Sequence, residues 1–164
     1  MNISRFFIIS IATWFGCGFM PFAPGTFASI ATVPLLFLLK DVSLSGRIAI
    51  LLFFIILGTL VSHYAQHIFR GEDPSEIVID EVVGMLFSCL FVPFNWKYIL
   101  ILFILFRLLD ITKPFPIGQA EKLKGGLGIM LDDIIAGAIS YALMLIFFII
   151  FWHGDLKKFY SLFS

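Results

Sequence analysis

Uncharged apolar positions gather into six stretches along the chain, residues 6–15, 26–39, 48–62, 82–95, 98–106 and 134–152, and short runs between them carry nearly all the charge. Stretches of this kind predict membrane-embedded helices. A bilayer crossing takes about 20 helical residues at about 1.5 Å each. Residues 134–152 alone meet that length. The other five span only with their charged ends in the interface, or they tilt, re-enter or bury against neighbours. The expected fold is an all-α, polytopic integral membrane helical bundle with several short or re-entrant segments, forming a single domain over residues 1–164.

Alternating the segments across the bilayer puts four chemically loaded runs on one side. These are the Gly/Pro loop 16–25, the acidic run 73–81, the stretch 107–116 and the Gly-rich turn into Asp132-Asp133. Residues 40–47, 93–97 and both termini fall opposite. Basic residues divide almost evenly, with Arg70, Arg107, Lys113, Lys122 and Lys124 on the loaded side and Arg5, Lys40, Arg47, Lys97, Lys157 and Lys158 on the other. The positive-inside rule therefore does not orient the chain.

Composition agrees with the pattern. A 60% hydrophobic content with 21 Phe and a mean hydropathy of +1.05 exceed what a globular domain of this size can bury. Formal charge is zero, with 11 basic and 11 acidic residues, so there is no basic field for nucleic acid. Cys17 and Cys89 are too few for a disulfide framework and read as free thiols. The apolar N-terminal run lacks a small-x-small cleavage site and is expected to be retained.

The charges stand where they are costly. An ionisable group at the edge of hydrocarbon is unfavourable unless paired, metal-bound or hydrated, yet Asp80 and Glu81 lead into residues 82–95, and Asp132 and Asp133 into residues 134–152. Asp73-Pro74-Ser75-Glu76 reads as a helix start, with Asp73 as N-cap and Pro74 at the first helical position. Helical rotation then sets Asp80 about 40° from Glu76 and turns Glu81 about 100° away. Capping does not account for Asp80. An ion pair with Arg107 or Lys113 would account for Asp80 and Glu81 structurally; a metal ligand is the stronger reading.

Gly125, Gly126 and Gly128 read as a flexible loop at a helix N-terminus suited to an anion. Asp132-Asp133 are then either first-turn acids or, facing Asp80, part of an oxygen cage suited to Mg²⁺. The stretch 107–116 ends a segment, because Pro114 and Pro116 cannot continue a helix. Its cations are either snorkelling anchors with Asp110 as a local partner or phosphate ligands, Arg107 by its fork and Lys113 by point charge. The loop 16–26 is a turn, a backbone nest for phosphate or a wall of a lipid pocket. His63 and His67 share a spacing zinc can use, but an interfacial helix end suits them better. No covalent carrier is apparent, since neither cysteine has the arginine of a cysteine-phosphatase loop and no D-x-D pair occurs.

Taken in order, these motifs resemble the phosphatidylglycerophosphatase A family. The matching residues are Ala23-Pro24-Gly25-Thr26, Asp73-Pro74, Ile77 to Gly84, Phe106-Arg107, Asp110-Ile111, Lys113-Pro114, Pro116-Ile117, Gly128-Ile129-Met130, Asp132-Asp133 and Ala136-Gly137. Cys17, Met20, Ala28 and Leu109 depart from the family's pattern. The resemblance implies Mg²⁺-dependent removal of the terminal phosphate of phosphatidylglycerophosphate, in bacterial phospholipid biosynthesis, at the cytoplasmic face of the inner membrane. On that reading Asp80, Asp132 and Asp133 hold the metal, with Glu81 and Asp110 also catalytic, while Arg107, Lys113, Gly25, Thr26 and Gly128 bind substrate. Bilayer lipid surrounds the chain, and nothing indicates an oligomer. The alternative is a cation- or proton-coupled transporter, which would more commonly keep its acids mid-span in two repeated halves.

Overall fold

The computed structural model describes residues 3–71 and 74–151; Glu72, Asp73, Trp152, Lys157 and Lys158 lie outside the described residues. Every regular element among the described residues is helical. They are α1 (Ile3–Ala12), α2 (Pro24–Ala31), α3 (Val33–Leu38), α4 (Leu44–Phe69), α5 (Ile79–Ser88), α6 (Trp96–Thr112), α7 (Ile117–Ala120) and α8 (Gly126–Phe151), with a 3-10 turn at Cys17–Phe19. The all-α expectation holds.

Helix lengths differ from the expected segments for identifiable reasons. α4 has 26 residues, about 39 Å at 1.5 Å each, so residues 134–152 are not alone in reaching bilayer length. The expected segment ends at Ser62, but His63, Gln66 and His67 continue the helix. It ends at Arg70, which adopts a left-handed φ of 61° and donates its N–H to the Gln66 carbonyl. α2 and α3 are one apolar run interrupted at Thr32, where Pro34 supplies no N–H for a helical bond; the Thr32 hydroxyl and N–H both donate to the Ala28 carbonyl.

α5 does not begin at Asp73-Pro74. Residues 74–77 form a turn closed by Ile77 N–H to the Pro74 carbonyl (2.9 Å), and Val78 donates across to the Ala12 carbonyl (2.8 Å). A tertiary bond to the end of α1 thus outweighs a local capping signal, and Glu76 shares no helix face with Asp80. α5 also stops at Ser88 rather than near residue 95. Its ten residues cover about 15 Å, half a hydrocarbon core. Ile79, Val82, Val83 and Met85 on it are fully buried, so this short helix is the centre of the bundle.

Glycines set how closely α5 and α8 cross. A Cβ on Gly137 would lie 2.6 Å from the Gly84 carbonyl oxygen, and one on Gly84 would meet the Phe106 ring and lie 3.0 Å from the Asp133 carbonyl. Small residues let the two backbones touch, which brings the first turn of α5 against the second turn of α8. The outside is apolar in continuous stripes: Leu52, Phe53, Ile56 and Leu60 on α4, Leu100, Ile104, Leu108 and Ile111 on α6, and Leu143, Ile146, Phe147 and Ile150 on α8 are all exposed. Water-soluble domains seldom present such stripes; a bilayer covers them.

The four loaded runs meet at one end. Gly18 abuts the Glu76 carbonyl, Gly25 abuts Glu81 and Arg107, and Gly126 abuts the Thr59 carbonyl of α4. Lys40, Arg47, Pro93 and Phe94 come together at the opposite end.

Candidate active site

Asp80 and Glu81 stand in the first turn of α5, where unpaired N–H groups and the helix dipole favour negative charge. Asp132 and Asp133 do not cap α8. They lie six and seven residues inside it, with Asp132 about 9 Å from its start, because Gly126 and Gly128 are helical and only Gly125, at φ +78°, reverses the chain. The site is therefore recessed. A Cβ on Gly126 would lie 2.8 Å from the His63 backbone nitrogen, so that glycine permits α8 to begin against α4.

From α6, Arg107 Nη1 pairs with Asp110 at 2.7 Å and with Glu81 at 3.6 Å, and all three side chains are largely buried. Lys113, the C-cap of α6, takes a left-handed φ of 42°. Its Nζ donates to Asp132 Oδ2 at 2.8 Å and to Glu121 Oε1 at 2.7 Å. Burial disfavours that ammonium's charge, but the two carboxylates outweigh burial and raise its pKa above the ordinary lysine value. Asp132 Oδ1 accepts the backbone N–H of Asp133 at 3.0 Å.

Two groups of acids result. Oxygens of Asp80, Glu81 and Asp133 lie within 4.8 Å of one another, as do those of Asp110, Asp132 and Asp133, with Asp133 common to both. Two ionised carboxylates at that separation repel by about 3.5 kcal/mol at an effective dielectric near 20. Five such acids face two cations, Arg107 and Lys113, an arrangement that could hold a metal ion. Asp80 Oδ1, Glu81 Oε2 and Asp133 Oδ1 are buried acceptors without a hydrogen-bond partner, and Arg107 Nε is a buried donor without one, while its Nη1 is held by Asp110. Each unsatisfied group costs on the order of 1–3 kcal/mol. Idle acceptors fit a metal ion, and the idle Nε donor beside them fits an anion.

The remaining candidates divide. Gly25 is buried at the start of α2, where any side chain would overlap the Glu81 carboxylate; Thr26 follows it, half-buried. Gly128 packs against the Leu123 carbonyl one helical turn before Asp132. His67 Nδ1 lies 2.9 Å from the His63 carbonyl, as a helix-end histidine does. Cys17 and Cys89 are free thiols. Glu121 was missed by sequence reasoning; its one signal is that the Pro114 and Pro116 turn folds the chain back by a few residues onto Lys113.

Known proteins can now be set beside this geometry. A sequence model of the family described as Phosphatidylglycerophosphatase A matches residues 10–148. The chain belongs to the phosphatidylglycerophosphatase A family. It is 34% identical over 136 residues to an Escherichia coli protein named Phosphatidylglycerophosphatase A, covering 82% of this chain and 79% of that one. A Haemophilus influenzae protein of the same name is 39% identical over 148 residues, covering 87% of this chain and 88% of its own. A Bacteroides thetaiotaomicron protein, named provisionally as a phosphatidylinositol-3-phosphatase, is 40% identical over 154 residues, covering 88% and 95%. No solved structure is significantly similar to this phosphatidylglycerophosphatase A family member.

Proposed function

We propose that this chain is a multi-pass membrane phosphatase that hydrolyses phosphatidylglycerophosphate to phosphatidylglycerol and phosphate, using Mg²⁺, at the cytoplasmic face of the bacterial inner membrane. The observation that carries the reading is the coincidence of idle buried acceptors on Asp80, Glu81 and Asp133 with the idle Nε donor of Arg107 in one recessed cluster. A divalent metal with a phosphoryl group satisfies both sets at once. Family membership leaves the transporter alternative without support, and the acids stand at one end of the bundle.

Asp80, Asp132 and Asp133 would hold the metal, with Glu81 and Asp110 beside them. When bound, Mg²⁺ polarises a phosphoryl oxygen and acidifies water. The chain's own groups do the rest. Arg107 Nε donates to a non-bridging phosphoryl oxygen, and the guanidinium neutralises charge as it develops, while Asp110 holds Nη1. Lys113 holds Asp132 in place and adds positive charge. Glu81, with Oε2 free of partners while Asp110 is engaged by Arg107, is the better placed base. It takes a proton from water as the water oxygen bonds to phosphorus; the bond from phosphorus to the glycerol oxygen breaks, and that oxygen takes up the proton Glu81 gained, restoring the carboxylate.

A second substrate is favoured by the relative from Bacteroides thetaiotaomicron: the 3-phosphate of phosphatidylinositol, also a phosphomonoester on a phospholipid headgroup. Phosphate release from the two lipids in detergent, with and without Mg²⁺, separates them. The proposal expects Mg²⁺-dependent release with a preference for phosphatidylglycerophosphate. Release from neither lipid, or release unchanged by chelation, would refute it.

A further inference from the structure

We infer that a cleft of about 640 Å³ between the end of α4 and the connection from α7 to α8 seats the second phosphate of the lipid substrate, the diester phosphate that joins headgroup to diacylglycerol. The inference rests on the phosphatase reading and extends it to how a phospholipid is told from other phosphomonoesters.

Three observations support it. Asp132 lines the cleft and also belongs to the acid cluster, so cleft and site are continuous. Arg70, Lys122 and Lys124 also line it and are exposed. Among the described residues, Arg107 and Lys113 are engaged by the cluster's own acids, whereas none of those three cations is in an ion pair. Chemistry then constrains the occupant. A diester phosphate keeps its negative charge at any working pH, and the acid cluster repels it. A lipid with a second phosphate near the first therefore needs cations adjacent to the acids, outside the reacting group's own ligands. The cleft is the place beside the site that offers them. Phosphatidylglycerophosphate and phosphatidylinositol 3-phosphate share this diester, so the cleft serves either headgroup.

The test removes the three charges together, as Arg70→Gln, Lys122→Gln, Lys124→Gln. Its first arm compares kcat/KM for a dihexanoyl phosphatidylglycerophosphate with that for glycerol 3-phosphate, a phosphomonoester without the diester. Its second arm measures equilibrium binding of dihexanoyl phosphatidylglycerol, which has the diester and no phosphomonoester, and so needs no turnover. The expected result is that the ratio of kcat/KM values falls at least tenfold, mainly through KM for the lipid, and that phosphatidylglycerol binding weakens by a similar factor. An unchanged ratio with unchanged binding would overturn the inference. Equal loss on both substrates would also overturn it, since the cations would then serve the transferred phosphate or the fold. If the wild type hydrolyses neither substrate, the phosphatase reading fails, while the binding arm still decides the cleft.

Discussion

Replacing Gly25 with Ala tests the site's geometry without touching a charge. By helix propensity alone the change should stabilise α2 by about 1 kcal/mol. The new Cβ, however, would lie 2.7 Å from Glu81 Cδ and 3.0 Å from Arg107 Nη1, against about 3.5–4.0 Å for unstrained contacts. The Glu81 carboxylate must retreat by roughly 1 Å, and a displacement of that size at a reacting centre costs on the order of 100-fold in rate. That is about 2.7 kcal/mol of transition-state stabilisation. The assay is phosphate release from phosphatidylglycerophosphate in detergent, alongside thermal unfolding of the same preparation. The expected outcome is a fall in kcat of about two orders of magnitude with a melting temperature at or above wild type. Wild-type turnover in a folded Gly25→Ala protein would show that Glu81 and Arg107 do not act where the structure places them.

Arg107→Lys keeps a charge and a long stem but loses the planar donor fork, so kcat/KM should fall about tenfold or more, roughly 1.4 kcal/mol; unchanged kinetics would make Arg107 an interfacial anchor. Lys113 has a raised pKa in the folded protein, so its contribution to stability is complete below its unfolded value, about 10.4, and is lost only as pH rises through the folded one. The melting-temperature difference between wild type and Lys113→Met should therefore be flat from about pH 7 to about pH 10 and shrink above; shrinkage beginning near pH 8 would contradict the pairing with Asp132 and Glu121. Single cysteines at Ser75 and Gln119, in a background with Cys17→Ser and Cys89→Ser, should react with an impermeant maleimide only after cells are opened. Labelling of either in intact cells would place the site outside the cytoplasm.

Much of the site was legible because charge is scarce. With only 13% charged residues in a chain that must bury or lipid-coat the rest, Asp80, Arg107, Asp110, Lys113, Asp132 and Asp133 stood out by where they were placed, and the alternation of segments put them at one end. What stayed hidden depended on contacts distant in sequence. The cap signal at Asp73-Pro74 gave way to the bond from Val78 to Ala12, which no local pattern reveals. Gly126 and Gly128 are poor helix formers, yet α8 starts there, because without a Cβ Gly126 can lie against the α4 backbone and Gly128 against the Leu123 carbonyl. In the sequence Arg70, Lys122 and Lys124 count only as positive charge on the loaded side. Their role emerges when the end of α4 meets the connection from α7 to α8.

Of the three aspartates proposed to hold the metal on which phosphate release depends, Asp133 is common to both acid groups. Asp133→Asn exchanges one oxygen for an amide nitrogen in a buried position, removing a ligand charge while keeping shape. Phosphate release from phosphatidylglycerophosphate should be measured across a Mg²⁺ titration for wild type and Asp133→Asn, each shown to be folded by its melting temperature. Saturable Mg²⁺ activation is expected in the wild type and no measurable release from Asp133→Asn at any Mg²⁺ concentration; turnover in the variant within tenfold of wild type, with the same Mg²⁺ dependence, would show that Asp133 does not hold the metal.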